Sequence, residues 1–305
     1  MGALFEVAPD IAGLRTLIAN LYYIGEPGSS DWTLVDAGIA GSAGPILREA
    51  ERRFGPDARP RQILLTHGHF DHVGGLKTLG RHWGVDVYAH SLELPYLTGR
   101  SNYPPPDPTV GGGAMAWSSP LYPKRPIDLS GFVKPLPNDG SVPGLTEWRW
   151  FHTPGHSPGH VSFFRERDRA LIVGDAFVTV RQESAIAVMS QTPEINGPPA
   201  YFTCDWGAAR ESVKHLASLN PDVVATGHGV PLRGERMRQE LHELARNFDA
   251  VARPTRGRYA YEPALAGVNG VFSVPPAGPL KTILIGAATL LAVSGVAALV
   301  LRERE

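Results

Sequence analysis

The chain has 305 residues, 43% of them hydrophobic and 19% charged, with a formal net charge of −1. That length and composition suffice to bury a large core, as one big domain or two, and exclude a disordered polyelectrolyte. Basic residues are scattered rather than striped, which argues against nucleic acid as a partner.

In chain order, residues 4–7, 17–24 and 32–35 read as three short strands, apolar or alternating and separated by Gly, Pro, Ser and Asp. Ile46, Leu47, Ala50 and Phe54 recur at helical spacing, and Gly55-Pro56 stops that helix. A strand over 62–65 follows, then a loop, then a helix marked by Val73, Leu76 and Leu79, and a strand over 85–89. Residues 92–144 lose the regular pattern. A stretch this long inside a domain is usually functional or disordered. Its interspersed Tyr96, Tyr103, Met115, Trp117, Tyr122 and Phe132 read as a wall or lid over a pocket. Strands resume at 148–151, 161–164 and 170–173, and residues 182–202 form a second irregular stretch. A helix over 205–219, a strand over 223–225 and a helix over 235–248 complete the regular part.

Residues 251–280 have the Arg-, Gly- and Pro-containing composition of a linker. Residues 282–301 carry no charge, and ten of the twenty are Ile, Leu or Val. As a helix they would span about 30 Å, the thickness of a bilayer's hydrocarbon core. They are apolar all round, so the expectation is a single-pass C-terminal transmembrane helix within 281–305, partnering a membrane. Residues 1–10 show no basic n-region, so the folded part of the chain is expected on the cytoplasmic side. The single cysteine, Cys204, reads as a buried structural thiol in a reducing compartment.

The chemistry concentrates in Thr66-His67-Gly68-His69-Phe70-Asp71-His72. Four metal-type ligands fall within six residues. A strand could not aim them at one point because its side chains alternate, whereas a loop between strand and helix can. Neutral imidazole and carboxylate are what zinc, iron or manganese take from proteins. Three later segments repeat one plan, a strand, then small residues, then one ligand: Thr153-Pro154-Gly155-His156, Val173-Gly174-Asp175 and Thr226-Gly227-His228.

With these segments in order, the sequence resembles the metallo-β-lactamase superfamily, in its dinuclear hydrolase branch, over roughly residues 15–250. The resemblance implies a four-layer αββα sandwich of the α+β class, occupying residues 1–250. It implies two divalent metal ions, zinc with iron or manganese as alternatives. His67, His69 and His156 would hold the first, Asp71, His72 and His228 the second, and Asp175 would bridge. Asp36 resembles the family's carboxylate that orients a ligating imidazole. His160 is expected to support or pack beside the site rather than ligate. His82, His90, His152, His215 and His242 match no ligand position.

The reaction implied is hydrolysis of small-molecule esters, lactones or thioesters, with Asp71 the expected proton acceptor. Lactonases of the superfamily share the Phe70 spacer but carry a tyrosine where this chain has Val178. Glyoxalase II-type thioesterases share the ligand set and bind their thiol carrier through a basic C-terminal region, of which Arg253, Arg256 and Arg258 are an echo. Two alternatives stay open at this level: a mono-iron persulfide dioxygenase-like enzyme and a non-catalytic metal-binding module.

Overall fold

Side-chain alternation along the strands decides the layering. In the computed structural model, which describes residues 3–277, β1 (Ala3–Ala8), β2 (Ile11–Thr16), β3 (Ala19–Ile24), β4 (Thr33–Val35), β5 (Gln62–Leu64), β6 (Asp86–Ala89) and β7 (Val133–Pro135) lie side by side in chain order. The first four pair antiparallel, and β4 to β7 run parallel. A second sheet takes β8 (Trp148–His152), β9 (Val161–Arg165), β10 (Ala170–Gly174), β11 (Val223–Thr226) and β12 (Leu232–Arg233) in the order β12-β11-β10-β9-β8.

The helices of the first half are α1 (Ala43–Phe54), α2 (Phe70–Val73), α3 (Leu76–Trp83), α4 (Leu94–Leu97) and α5 (Ala114–Ser118). Those of the second are α6 (Ala185–Ser190), α7 (Trp206–Ser218) and α8 (Gly234–Val251). On β3, Leu21 and Tyr23 face α1 and α3, whereas Tyr22 and Ile24 face the other sheet. On β10, Ala170 and Ile172 meet that same inter-sheet core, while Leu171 and Val173 pack under α7 and α8. Helices, sheet, sheet and helices therefore form four layers, as expected. The outer helices are amphipathic in the usual way: α8 buries Met237, Leu241, Leu244, Ala245 and Phe248, one stripe at helical spacing.

Several sequence expectations are corrected. The strand expected over 17–24 is broken, because Leu17 adopts a left-handed turn (φ 63°) between β2 and β3. A strand over 11–16 precedes it. Neither Gly, Pro, Asn nor Asp marks that turn, so nothing in the sequence flagged it. The irregular 92–144 stretch holds α4, α5 and the edge strand β7. Within 251–280, Tyr259 packs into the α7–α8 core and β13 (Leu265–Gly267) pairs with β14 (Gly270–Ser273).

The transmembrane segment at 282–301 lies outside the described residues. Among the described residues no helix is long and apolar enough to cross a membrane. For the described residues the fold class is thereby corrected to the sandwich without a spanning helix. The membrane localisation and membrane partner drawn from that segment are corrected likewise: no helix among the described residues supports them.

Candidate metal centre

Parallel pairing places the ends of four strands at one edge. β4 beside β5 in one sheet, and β10 beside β11 in the other, both end there. Asp36 leaves β4, His67 and His69 leave β5, Asp175 leaves β10, and His228 leaves β11. His156 comes from the loop after β8. Asp71 and His72 sit inside α2, one turn earlier than the sequence placed the helix. Glycine makes the convergence possible. A Cβ on Gly227 would lie 2.0 Å from Asp175 Oδ1 and 2.8 Å from His72 Cε1. Gly174, at φ 62°, leaves room for His160 and Thr66, which a Cβ would meet at 2.6 and 2.8 Å.

All seven expected ligand residues come together, none more than 6% exposed. Their donor atoms form three overlapping groups, each within 4.8 Å: His67, His69 and His156; His67, His72 and Asp175; and Asp71, His72 and His228. Asp175 Oδ2 stands between the halves, 3.4 Å from His156 Nε2, 3.6 Å from His72 Nε2 and 3.1 Å from His228 Nε2. His228 Nε2 is 3.5 Å from Asp71 Oδ2.

Surrounding groups fix the imidazole tautomers. His72 Nδ1 donates to Asp36 Oδ2 at 2.9 Å, and the same carboxylate accepts from the Thr66 amide and hydroxyl at 2.8 Å each. His228 Nδ1 donates to the Ile18 carbonyl at 2.7 Å. Each bond leaves an Nε2 lone pair facing inward. His160 does not join the ligand groups. Its Nε2 accepts from the Asp175 amide at 2.8 Å while Nδ1 meets Thr153 Oγ1 at 2.8 Å.

Burial pushes His67 and His69 well below the usual histidine pKa and takes His156 down to about 4, so all three are neutral near pH 7. Burial acts the same way on His72 and His228, but the surrounding carboxylates together outweigh it and raise both: Asp175 first, with Asp36 and Asp71 at His72 and Asp71 at His228. Asp175 itself stays well below the usual range, since His228 and His72 outweigh its burial. Burial raises Asp71.

The cluster fits divalent cations. His67 Nε2, His72 Nε2 and Asp175 Oδ1 are buried without a hydrogen-bond partner. Such atoms are costly unless something binds them. The donors are borderline nitrogen and hard oxygen, a set that zinc, iron and manganese all accept.

An aromatic wall closes the site. The Phe202 and Tyr103 rings lie 4.6 and 4.5 Å from that of His69, and Phe70 packs against Tyr122 at 5.7 Å. Of the residues expected in that wall, Tyr103, Tyr122 and Met115 are there. Tyr96 backs Tyr103, Phe132 packs against the α1–α3 core, and Trp117 points outward, 41% exposed. Cys204 is buried and unpaired, and burial pushes its thiol pKa up, in keeping with an inert thiol. Sequence reasoning missed the Ile18 carbonyl, Phe202 and the buried carboxylate of Glu93. The first is backbone, and the other two carry no local signal.

A family model described as "Metallo-beta-lactamase superfamily" matches residues 14–228. A Bacillus subtilis (strain 168) protein named "Probable metallo-hydrolase YflN" is 48% identical over 251 residues, covering 82% of this chain and 95% of the relative. The "Hydroxyacylglutathione hydrolase GloC" of Haemophilus influenzae is 28% identical over 140 residues, 46% of this chain and 60% of that protein. Among solved structures, the "BLEG-1 B3 metallo-beta-lactamase" aligns with TM-score 0.51 and 26% identity, over 76% of this chain and 94% of that one.

Proposed function

The chain belongs to the metallo-β-lactamase superfamily, and from that premise we propose that it is a metal-dependent hydrolase of small-molecule esters, lactones or thioesters. The observation that carries this reading is the set of buried, unpartnered donor atoms on His67, His72 and Asp175 inside a ring of seven ligand-type side chains. On this reading residues 1–250 are the hydrolase domain. His67, His69 and His156 hold one ion and Asp71, His72 and His228 the other, with Asp175 shared. A hydroxyacylglutathione hydrolase among the relatives supports thioesters within the substrate range.

Bound divalent ions supply acidified water and polarise the scissile carbonyl. The chain's own groups do the rest. Asp71, raised by burial and facing His228 Nε2, takes the proton at a carboxylate oxygen. Asp36 and the Ile18 carbonyl hold His72 and His228 in the tautomer that presents Nε2. Phe202, Tyr103, Phe70 and Tyr122 exclude bulk water and offer an apolar surface to the acyl or alkyl part of the substrate.

The test pairs metal content with turnover on an ester, lactone and thioester panel. His69→Ala is expected to lose ion and activity together while the far-ultraviolet circular dichroism stays unchanged. Full activity in that variant would overturn the assignment. One iron per chain with oxygen uptake on a persulfide would instead support a dioxygenase.

A further inference from the structure

Glu93 lies immediately before α4, is fully buried, and has no Lys or Arg partner among the described residues. Its hydrogen bonds all come from neutral donors on the site's own loops. Oε2 accepts from the Gly68 amide at 2.9 Å and from the Tyr103 hydroxyl. Oε1 accepts from the Ser157 hydroxyl and the Gly159 amide, each at 2.8 Å. Gly68 is the residue between His67 and His69, and Ser157 follows His156. One carboxylate thus grips, with separate oxygens, the two loops that carry His67, His69 and His156. Tyr103, held by the same oxygen, sets its ring against His69 at 4.5 Å. Both gripped glycines are sterically required: a Cβ on Gly68 would meet Tyr103 Oη at 2.5 Å, and one on Gly159 would meet Glu93 Cγ at 2.8 Å.

Asp36 holds His72 of the other half through Nδ1, and it also accepts from the Thr66 amide and from the Thr66 hydroxyl, which lies 3.1 Å from His67 Nδ1. The charges point the same way. Asp36, Asp71, Asp175 and Glu93 are four buried carboxylates, and the ion pairs made by the three aspartates are all to histidines. Two divalent cations would balance them.

We propose that Glu93 is a positioning residue that sets the geometry and affinity of the His67–His69–His156 ion site, separately from its neighbour. The proposal rests on the hydrolase reading above. Glu93→Gln is the informative variant, because whichever way the amide is turned its NH₂ faces a backbone N–H that cannot accept, that of Gly68 or that of Gly159. Apo-protein would be titrated with Co(II) or Zn(II) against a chromophoric chelator, and the Co(II) absorption bands would report each site. The affinity of the His67–His69–His156 site is expected to fall about 10–100-fold, the range for lost supporting partners of metal ligands. The other should be unchanged. Tyr103→Phe and Ser157→Ala each remove one donor and should weaken the same site by less, which keeps the test decisive if Glu93→Gln fails to fold. Equal weakening of both sites, or no change in either, would overturn the role of Glu93 alone. A wild-type chain that takes up no ion would overturn the hydrolase reading itself.

Discussion

His72 presents Nε2 to the site because its Nδ1–H donates to Asp36. Asp36→Asn exchanges an acceptor for a donor at one of two positions already facing donors, the Thr66 groups and His72. The variant should lose about 10–100-fold in metal affinity or turnover with little change in fold, checked by chelator competition and steady-state kinetics. Gly227→Ala tests the close approach from the other side. Its methyl would overlap Asp175 and His72, so activity should collapse and stability fall by about 1–3 kcal/mol, read by denaturant titration. The clustering of the seven ligand-type side chains was legible in the sequence, because each follows a strand end or lies in the local 67–72 stretch. Glu93 was not. A lone glutamate ahead of a short helix looks like a solvated residue, and its partners lie up to 66 positions away.

The β2–β3 hairpin shows what an element hides. The sequence merged its second strand with the turn, yet that turn supplies the Ile18 carbonyl that fixes His228. Leu17 is 55% exposed and pays for its left-handed backbone without a compensating contact in the core. Left-handed conformation costs a non-glycine residue about 1–2 kcal/mol, least for Asn. Leu17→Asn should therefore raise stability by about 0.5–1 kcal/mol with activity unchanged, measured by thermal unfolding beside an ester assay. The helices were more legible than the strands. α1, α7 and α8 keep one apolar stripe each, while β7 and the short helices of 92–144 depend on contacts distant in sequence.

Across the whole molecule, one buried cation ties the halves together. Arg165 on β9, 1% exposed, reaches Asp10 in the turn between β1 and β2, with Nη2 at 2.9 Å from Oδ1, and Asp168 at 2.7 Å. Burial alone would raise both carboxyls, but the guanidinium holds them below the ordinary range, with Arg167 assisting. A lowered folded-state pKa stabilises above the unfolded value, near 3.9 for Asp, and the gain vanishes as pH falls through the folded one. Wild-type stability should thus decline from about pH 5 downward. Arg165→Met should cost about 3 kcal/mol at neutral pH and flatten that acid slope, as followed by urea unfolding at several pH values. The four-layer arrangement was reached through resemblance to a family. Strand order was compatible with it, but nothing local says which strands of two sheets will end at one edge. Hydropathy alone carried the C-terminal anchor, and among the described residues no helix supports it. Metal-dependent hydrolysis is tested most directly by elemental analysis of the purified chain alongside its hydrolytic rate before and after chelation. Two divalent ions per chain are expected, with turnover lost on their removal and restored on their return. Undiminished turnover in a chain stripped of metal would contradict it.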